Sequence, residues 1–128
     1  MILPVRKENS GEEKELPSII SYAYSGNVEG VARLLAQGVD VNTVDPCDNL
    51  TVLHIACLQG DTALARLILD HDKAHGDVDF TIRSRFRPRL AWQFAMNANF
   101  VELAELVDNA GVEKARVLRD SSHPFPQP

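Results

Sequence analysis

The feature that most restricts this chain is residues 50–69, LTVLHIACLQGDTALARLIL. It reads as two short antiparallel helices with a tight turn between them. The first is predicted from about Thr51 to Gln59. Thr51 can cap it, because a hydroxyl accepts from backbone N–H groups that lack helical partners. Leu53, Ala56 and Cys57 recur at three- and four-residue spacing, which gives one apolar face. Gly60 can end the helix in the left-handed conformation without a Cβ penalty. Asp61 can then cap a second helix, where Leu64, Ala65, Leu67, Ile68 and Leu69 make a broad apolar face. Helices this short are marginal alone in water. The pair must therefore stack on neighbours.

Thr51, Leu53, His54, Ala56, Gly60 and Leu67 to Leu69 resemble the ankyrin repeat, whose signature includes T-P-L-H-x-A. Val52 stands where that signature has Pro. The same frame recurs on both sides. Upstream, GNVEGVARLLAQGVDVN matches at Gly26, Leu34, Leu35, Gly38, Asp40, Val41 and Asn42. Here Ser18 is expected to cap a helix over Ile19 to Ser25, followed by a second over Val28 to Gln37. Pro17, Ser18, Ile19 and Ile20 replace the T-P-L-H part. Ala32 and Arg33 among the apolar positions suit a terminal repeat, which needs a more polar outer face. Downstream, Ala95, Val101, Glu102, Leu103, Leu106 and Gly111 keep the frame. Trp92 takes the place of Leu and Gln93 that of His. Asn49 and Asn99 stand at glycine positions. Asn tolerates positive φ better than most non-glycine residues, so both are expected there. Val112 to Arg119 are expected to add one or two helical turns.

The resemblance covers about residues 17–111 and implies an all-α solenoid of three stacked helix pairs with projecting β-turn fingers. The expected organisation is a flexible charged arm (1–16), a repeat domain (17–119, with repeats near 17–49, 50–86 and 87–119) and a Pro-rich disordered tail (120–128). A length of 128 residues, 45% of them apolar, suits one domain. No run approaches the length of a membrane span, and the N-terminal stretch lacks the apolar core of a secretory leader. Two cysteines ten residues apart make no disulfide framework, and a reducing, cytosolic setting is expected. The net charge of −5 argues against general nucleic-acid binding.

Catalytic patterns are missing: there is no G-x-S-x-G, P-loop, G-x-G-x-x-G or C-x-x-C. Cys57 and His54 are three apart on a helix. Cys57, however, falls where the family buries a small residue, and the family uses this histidine for hydrogen bonds within and between finger turns. Asp70, His71, Asp72, His75, Asp77 and Asp79 invite a metal reading. The EF-hand order fails, with glycine one place late and Thr81 where Glu should close the loop, and no Glu separates the histidines as in a zincin helix. A solvated loop covering a helix end is the expectation. The resemblance implies protein binding without catalysis, cofactor or small-molecule substrate.

The sharpest departure from a plain repeat is Arg83, Arg85, Arg87 and Arg89, alternating with Ser84, Phe86, Pro88 and Leu90. An extended finger would put all four guanidinium groups on one face. They bring +4, so the rest of a chain of net −5 carries −9. The Asp-rich stretch before them is one possible counter-charge. An acidic or phosphorylated ligand is the other, since arginine binds carboxylate and phosphate in paired hydrogen bonds. Partners of such stacks touch finger tips and inner helices. On this chain that selects Asp45, Asp48 and Leu50 in the first finger, and Leu58, Gln59, Gln93 and Asn97 on inner helices. In the second finger it selects Arg83, Arg85, Phe86, Arg87 and Arg89. Phe86 is either a contact residue or a cover for Trp92. A protein partner is the first reading, with an acidic one among the options. A polyanion such as nucleic acid or phospholipid on the arginine finger is the alternative.

Overall fold

The computed structural model describes residues 16–85 and 87–122, the last six as backbone only. Expectations that fall on residues 1–15, on Phe86 and on residues 123–128 lie outside the described residues. Among those described, the chain forms six helices: α1 (Ser18–Tyr24), α2 (Val28–Ala36), α3 (Val52–Gln59), α4 (Thr62–His75), α5 (Ala91–Asn97) and α6 (Val101–Ser122). They make three antiparallel pairs. The inner helices α1, α3 and α5 pack side by side, and the outer helices α2, α4 and α6 form a second layer. The finger between α2 and α3 (residues 42–50) is called finger 1. The finger between α4 and α5 (residues 78–90) is called finger 2.

Local chemistry sets most helix ends. Thr51 Oγ1 accepts from His54 N–H, and Asp61 accepts from Leu64 N–H. Asn27 does the same for α2, accepting from Gly30 N–H. Gly60 (φ 72°) ends α3 in the left-handed region, which L side chains rarely enter. Asn49 (φ 61°) and Asn99 (φ 71°) stand there too. The first helix departs from expectation. Ser18 is its first residue, not its cap, and Pro17 precedes it with no side-chain cap.

The core is continuous through the repeats. Ile19 and Ile20 in the first, Ile55, Leu64 and Ile68 in the second, and Ala95, Leu103 and Val107 in the third are all buried. One pair of positions trades volume between repeats. The middle repeat sets Ala56 against Leu64, and the third sets Ala95 against Leu103. The first repeat has Tyr22 and Gly30 in the same frame, where a Cβ on Gly30 would stand 2.8 Å from the Tyr22 ring. The large residue has changed sides, so the layers keep their separation with total volume conserved.

The outer helix α4 runs further than predicted, and α6 continues unbroken through the expected turns at residues 112–119 to Ser122. The DHDKAH stretch is helical, and α4 stops only at Gly76 (φ 73°). Gly111 does not end α6 but lies inside it, its Cα side against Phe80. The cause is Lys114. Its ammonium donates to Asp72 Oδ1 (2.7 Å), Gly76 O (3.2 Å) and Val78 O (2.5 Å), and lies 5.6 Å from the Phe80 ring. A cation from α6 thus satisfies carbonyls around the end of α4, where the helix dipole also favours positive charge. Asp72 accepts from Val78 N–H as well, closing the turn into finger 2.

His54 is buried, with both ring nitrogens engaged. Nδ1 accepts from Thr51 N–H at 3.2 Å, and Nε2 faces Arg89 O at 3.3 Å. This requires the neutral tautomer protonated on Nε2. Burial lowers the pKa below 6.5, partly offset by the carbonyls of Arg89 and Ile82. Gln93 does the same capping in the third repeat, its Oε1 accepting from Leu90 N–H at 2.7 Å.

Two outcomes follow from these contacts. Asn99→Gly should leave the melt unchanged or raise it, because the strain of positive φ is relieved. Asn49→Gly should lose about 1 kcal/mol, because the Asn49 amide donates to Arg83 O at 2.9 Å. Equal behaviour of the two variants would contradict that bond. For His54, the unfolded chain takes up a proton near pH 6.5 while the folded one resists it. Stability is therefore full above that pH and declines as pH falls below it. His54→Gln should keep the cap, as Gln93 does, and flatten this part of the pH profile. Thermal melts across pH 5 to 8 read both.

Candidate protein-binding surface

Finger 1 is built around a buried carboxylate. Asp45 accepts from Cys47 N–H (2.8 Å) and from Tyr24 O–H (3.0 Å), while its backbone pairs with Leu50 and Asn49. Burial first, then this carboxylate, pushes the Tyr24 phenol up to about 12. Asp45 is 4% exposed and Leu50 6%. Both were expected to meet a partner, and neither is accessible. Asp45 holds the turn, and Leu50 joins the core just before Thr51.

Finger 2 lies against finger 1 rather than projecting as an extended strand. Asn42 Nδ2 donates to Asp77 O (2.8 Å), and its Oδ1 accepts from Asp79 N–H (2.9 Å). Arg85 N–H donates to Asp48 O (2.8 Å). The Arg85 guanidinium reaches Cys47 O (2.9 Å) and Pro46 O (3.1 Å). Finger 2 also closes on itself. Ser84 N–H donates to Arg89 O, and Ser84 Oγ accepts from Arg89 N–H. Arg87 sits at φ 50°. A reversal of this kind breaks the period-two alternation, so the four guanidinium groups do not share one face by that rule. The correction has a physical reason: Arg85 finds partners 38 and 39 residues away that a local pattern does not contain.

The remaining candidates divide by exposure. Arg83, Arg85 and Arg87 are exposed, and Arg89 is half-buried. Gln59 is exposed but crosses to the first repeat, donating to Tyr24 O at 3.0 Å. Gln93 is half-buried and occupied as a cap. Asp48 is half-buried. Leu58 (44% exposed) and Asn97 are open. Tyr24, Leu58 and Asn97 hold one frame position in α1, α3 and α5, so they form a row across the inner layer.

Other exposed residues were missed. Met96 (42% exposed), Phe100 and Val101 are open apolar groups of the third repeat. Met96 holds the frame position of the fully buried Cys57, so the repeat frame suggested burial. A groove of about 610 Å³ between α4 and α6, floored by Leu69, Leu106 and Ala110, was also missed. It depends on the unforeseen length of α4.

The Cys57 and His54 pair does not supply a nucleophile. Cys57 is fully buried and its thiol is pushed up to about 12, so it carries no thiolate at neutral pH. In the acid-rich stretch, Asp72 is taken by Lys114, and His71 Nε2 lies 3.1 Å from Asp77 Oδ1. Among the described residues, no three His, Cys, Asp or Glu side chains converge for a metal. No described helix is long and apolar enough to cross a membrane.

A comparison with curated proteins gave no match. A family comparison matched ankyrin repeats, in three copies, over residues 19–115. That span takes in both fingers, α2 to α5, and most of α1 and α6. Ankyrin repeats are generally protein–protein interaction modules and are typically non-enzymatic. With three copies matched along most of its length and the layered helix pairs to go with them, this chain belongs to the ankyrin repeat family.

Proposed function

We propose that this stack binds a protein partner across finger 2 and the exposed row on the inner helices, without catalysis. The observation that carries the reading is the row of equivalent positions. Tyr24, Leu58 and Asn97 recur once per repeat, and the last two stand open to solvent. An exposed leucine beside an exposed amide offers the mixture of apolar contact and hydrogen bonding that interface cores use. The fingers add a surface whose backbone is already fixed by bonds to finger 1. Ordering is then largely complete before a partner arrives, which reduces the entropy lost on binding.

A partner on this face must be sensitive to charge introduced along the row. Leu58→Asp with Asn97→Asp should abolish capture of the proteins retained by the wild-type chain from native lysate, with the melt unchanged. Ala63→Glu, on the exposed side of α4, should leave capture intact. Retention of the same proteins by the row variant, or their loss in the α4 variant, would place the contact elsewhere.

A further inference from the structure

Finger 2 carries more charge than it neutralises. The Arg85 guanidinium is engaged by carbonyls of finger 1. Arg83, Arg87 and Arg89 differ: among the described residues, partners hold their backbones and none meets their guanidinium groups. Arg83 O accepts from Asn49 Nδ2, Arg87 O from Ser84 O–H (3.2 Å), and Arg89 O from Ser84 N–H (3.1 Å). Among the described residues, no carboxylate lies within salt-bridge distance of these three side chains. Three of the four aspartates in the acidic stretch offered by the sequence as counter-charge are engaged elsewhere. Asp72 holds Lys114, Asp77 meets His71, and Asp79 accepts from Thr81.

Three like charges within seven residues repel one another, and carboxylates brought beside them offset that repulsion. A guanidinium fork takes a carboxylate through two parallel hydrogen bonds. The loop that presents the forks is already closed by Ser84 and anchored by Asn49, Arg85 and His54. Binding then requires ordering of the arginine side chains on a backbone held at both ends.

We propose that Arg83, Arg87 and Arg89 dock an acidic peptide segment of the protein partner, taking its carboxylates on the tip of finger 2. This rests on the protein-binding reading above and names the chemistry of the partner. A peptide suits the surface better than a nucleic acid does. The chain as a whole is net −5, and three guanidinium groups make a spot, whereas a phosphate backbone needs a basic track. The exposed Leu58 and Met96 on the inner layer also have no use for a phosphate chain.

The test uses the full chain and a fluorescein-labelled octapeptide of alternating Glu and Ala, read by anisotropy. The Gln and Ala counterpart is the control. The Glu peptide should bind and the Gln peptide should not. The triple variant Arg83→Gln, Arg87→Gln, Arg89→Gln should bind at least about tenfold more weakly, and raising salt from about 20 to about 200 mM should weaken the wild type similarly. If the triple variant melts early, Arg87→Asn keeps a residue that tolerates positive φ and should still weaken binding. Equal binding of the Glu and Gln peptides, or no dependence on these arginines, overturns the proposal. So does tighter arginine-dependent binding of a single-stranded oligonucleotide of equal charge. If lysate capture survives the triple substitution but is lost in the Leu58 and Asn97 variant, the acidic-peptide inference falls and the protein-binding reading stands.

Discussion

The imidazole of His54 ties together what would otherwise be separate parts. Its Nδ1 accepts from Thr51 N–H at the start of α3, and its Nε2 reaches Arg89 O in the following finger. One buried side chain therefore fixes a helix start and the loop of the next repeat. The bond to Nδ1 exists only in the neutral ring, and burial favours that form. Around it, Asn42, Asn49 and Arg85 add further bonds from finger 1 to finger 2. A solenoid has few long-range contacts by construction, since each repeat meets only its neighbours. The finger-to-finger bonds supply an edge of order that helix packing alone does not.

Several parts of this arrangement were legible in the sequence because they are local. A hydroxyl at Thr51, a carboxylate at Asp61 and a glycine at Gly60 act within one turn. Asn49 and Asn99 could be assigned positive φ from the repeat frame alone. What was not legible depends on residues far apart in the chain. The length of α4 is tied to Lys114, some forty residues on. Finger 2 folds over because Arg85 and Asn49 reach across the repeat boundary. Leu50 and Asp45 look like finger-tip residues, yet neighbouring packing and the Tyr24 hydroxyl place them inside. Of the candidate surface, Leu58, Gln59, Asn97 and the arginines remained accessible, and the exposure of Met96 follows from the packing of the third repeat rather than from a local pattern.

The division of labour among the arginines follows from the same network. Arg85 acts inward, on backbone carbonyls of finger 1, and so helps to hold the loop. Arg83, Arg87 and Arg89 are held by their backbones, and among the described residues no carboxylate pairs with their side chains. Alternating sequence thus gives unequal roles once the loop reverses at Arg87. The outer layer is organised differently, around the Lys114 ammonium and the groove it borders between α4 and α6.

The central claim is that finger 2 is a fixed platform, not an open loop. Amide hydrogen exchange reads it directly. Ser84, Arg85 and Arg89 N–H donate to Arg89 O, Asp48 O and Ser84 Oγ, so all three should exchange slowly, at rates approaching those of core amides in α3. Their protection should fall together in His54→Ala, which removes the tie to Arg89 O. Exchange of these three amides at the rate of an unstructured peptide in the wild-type chain would contradict the account.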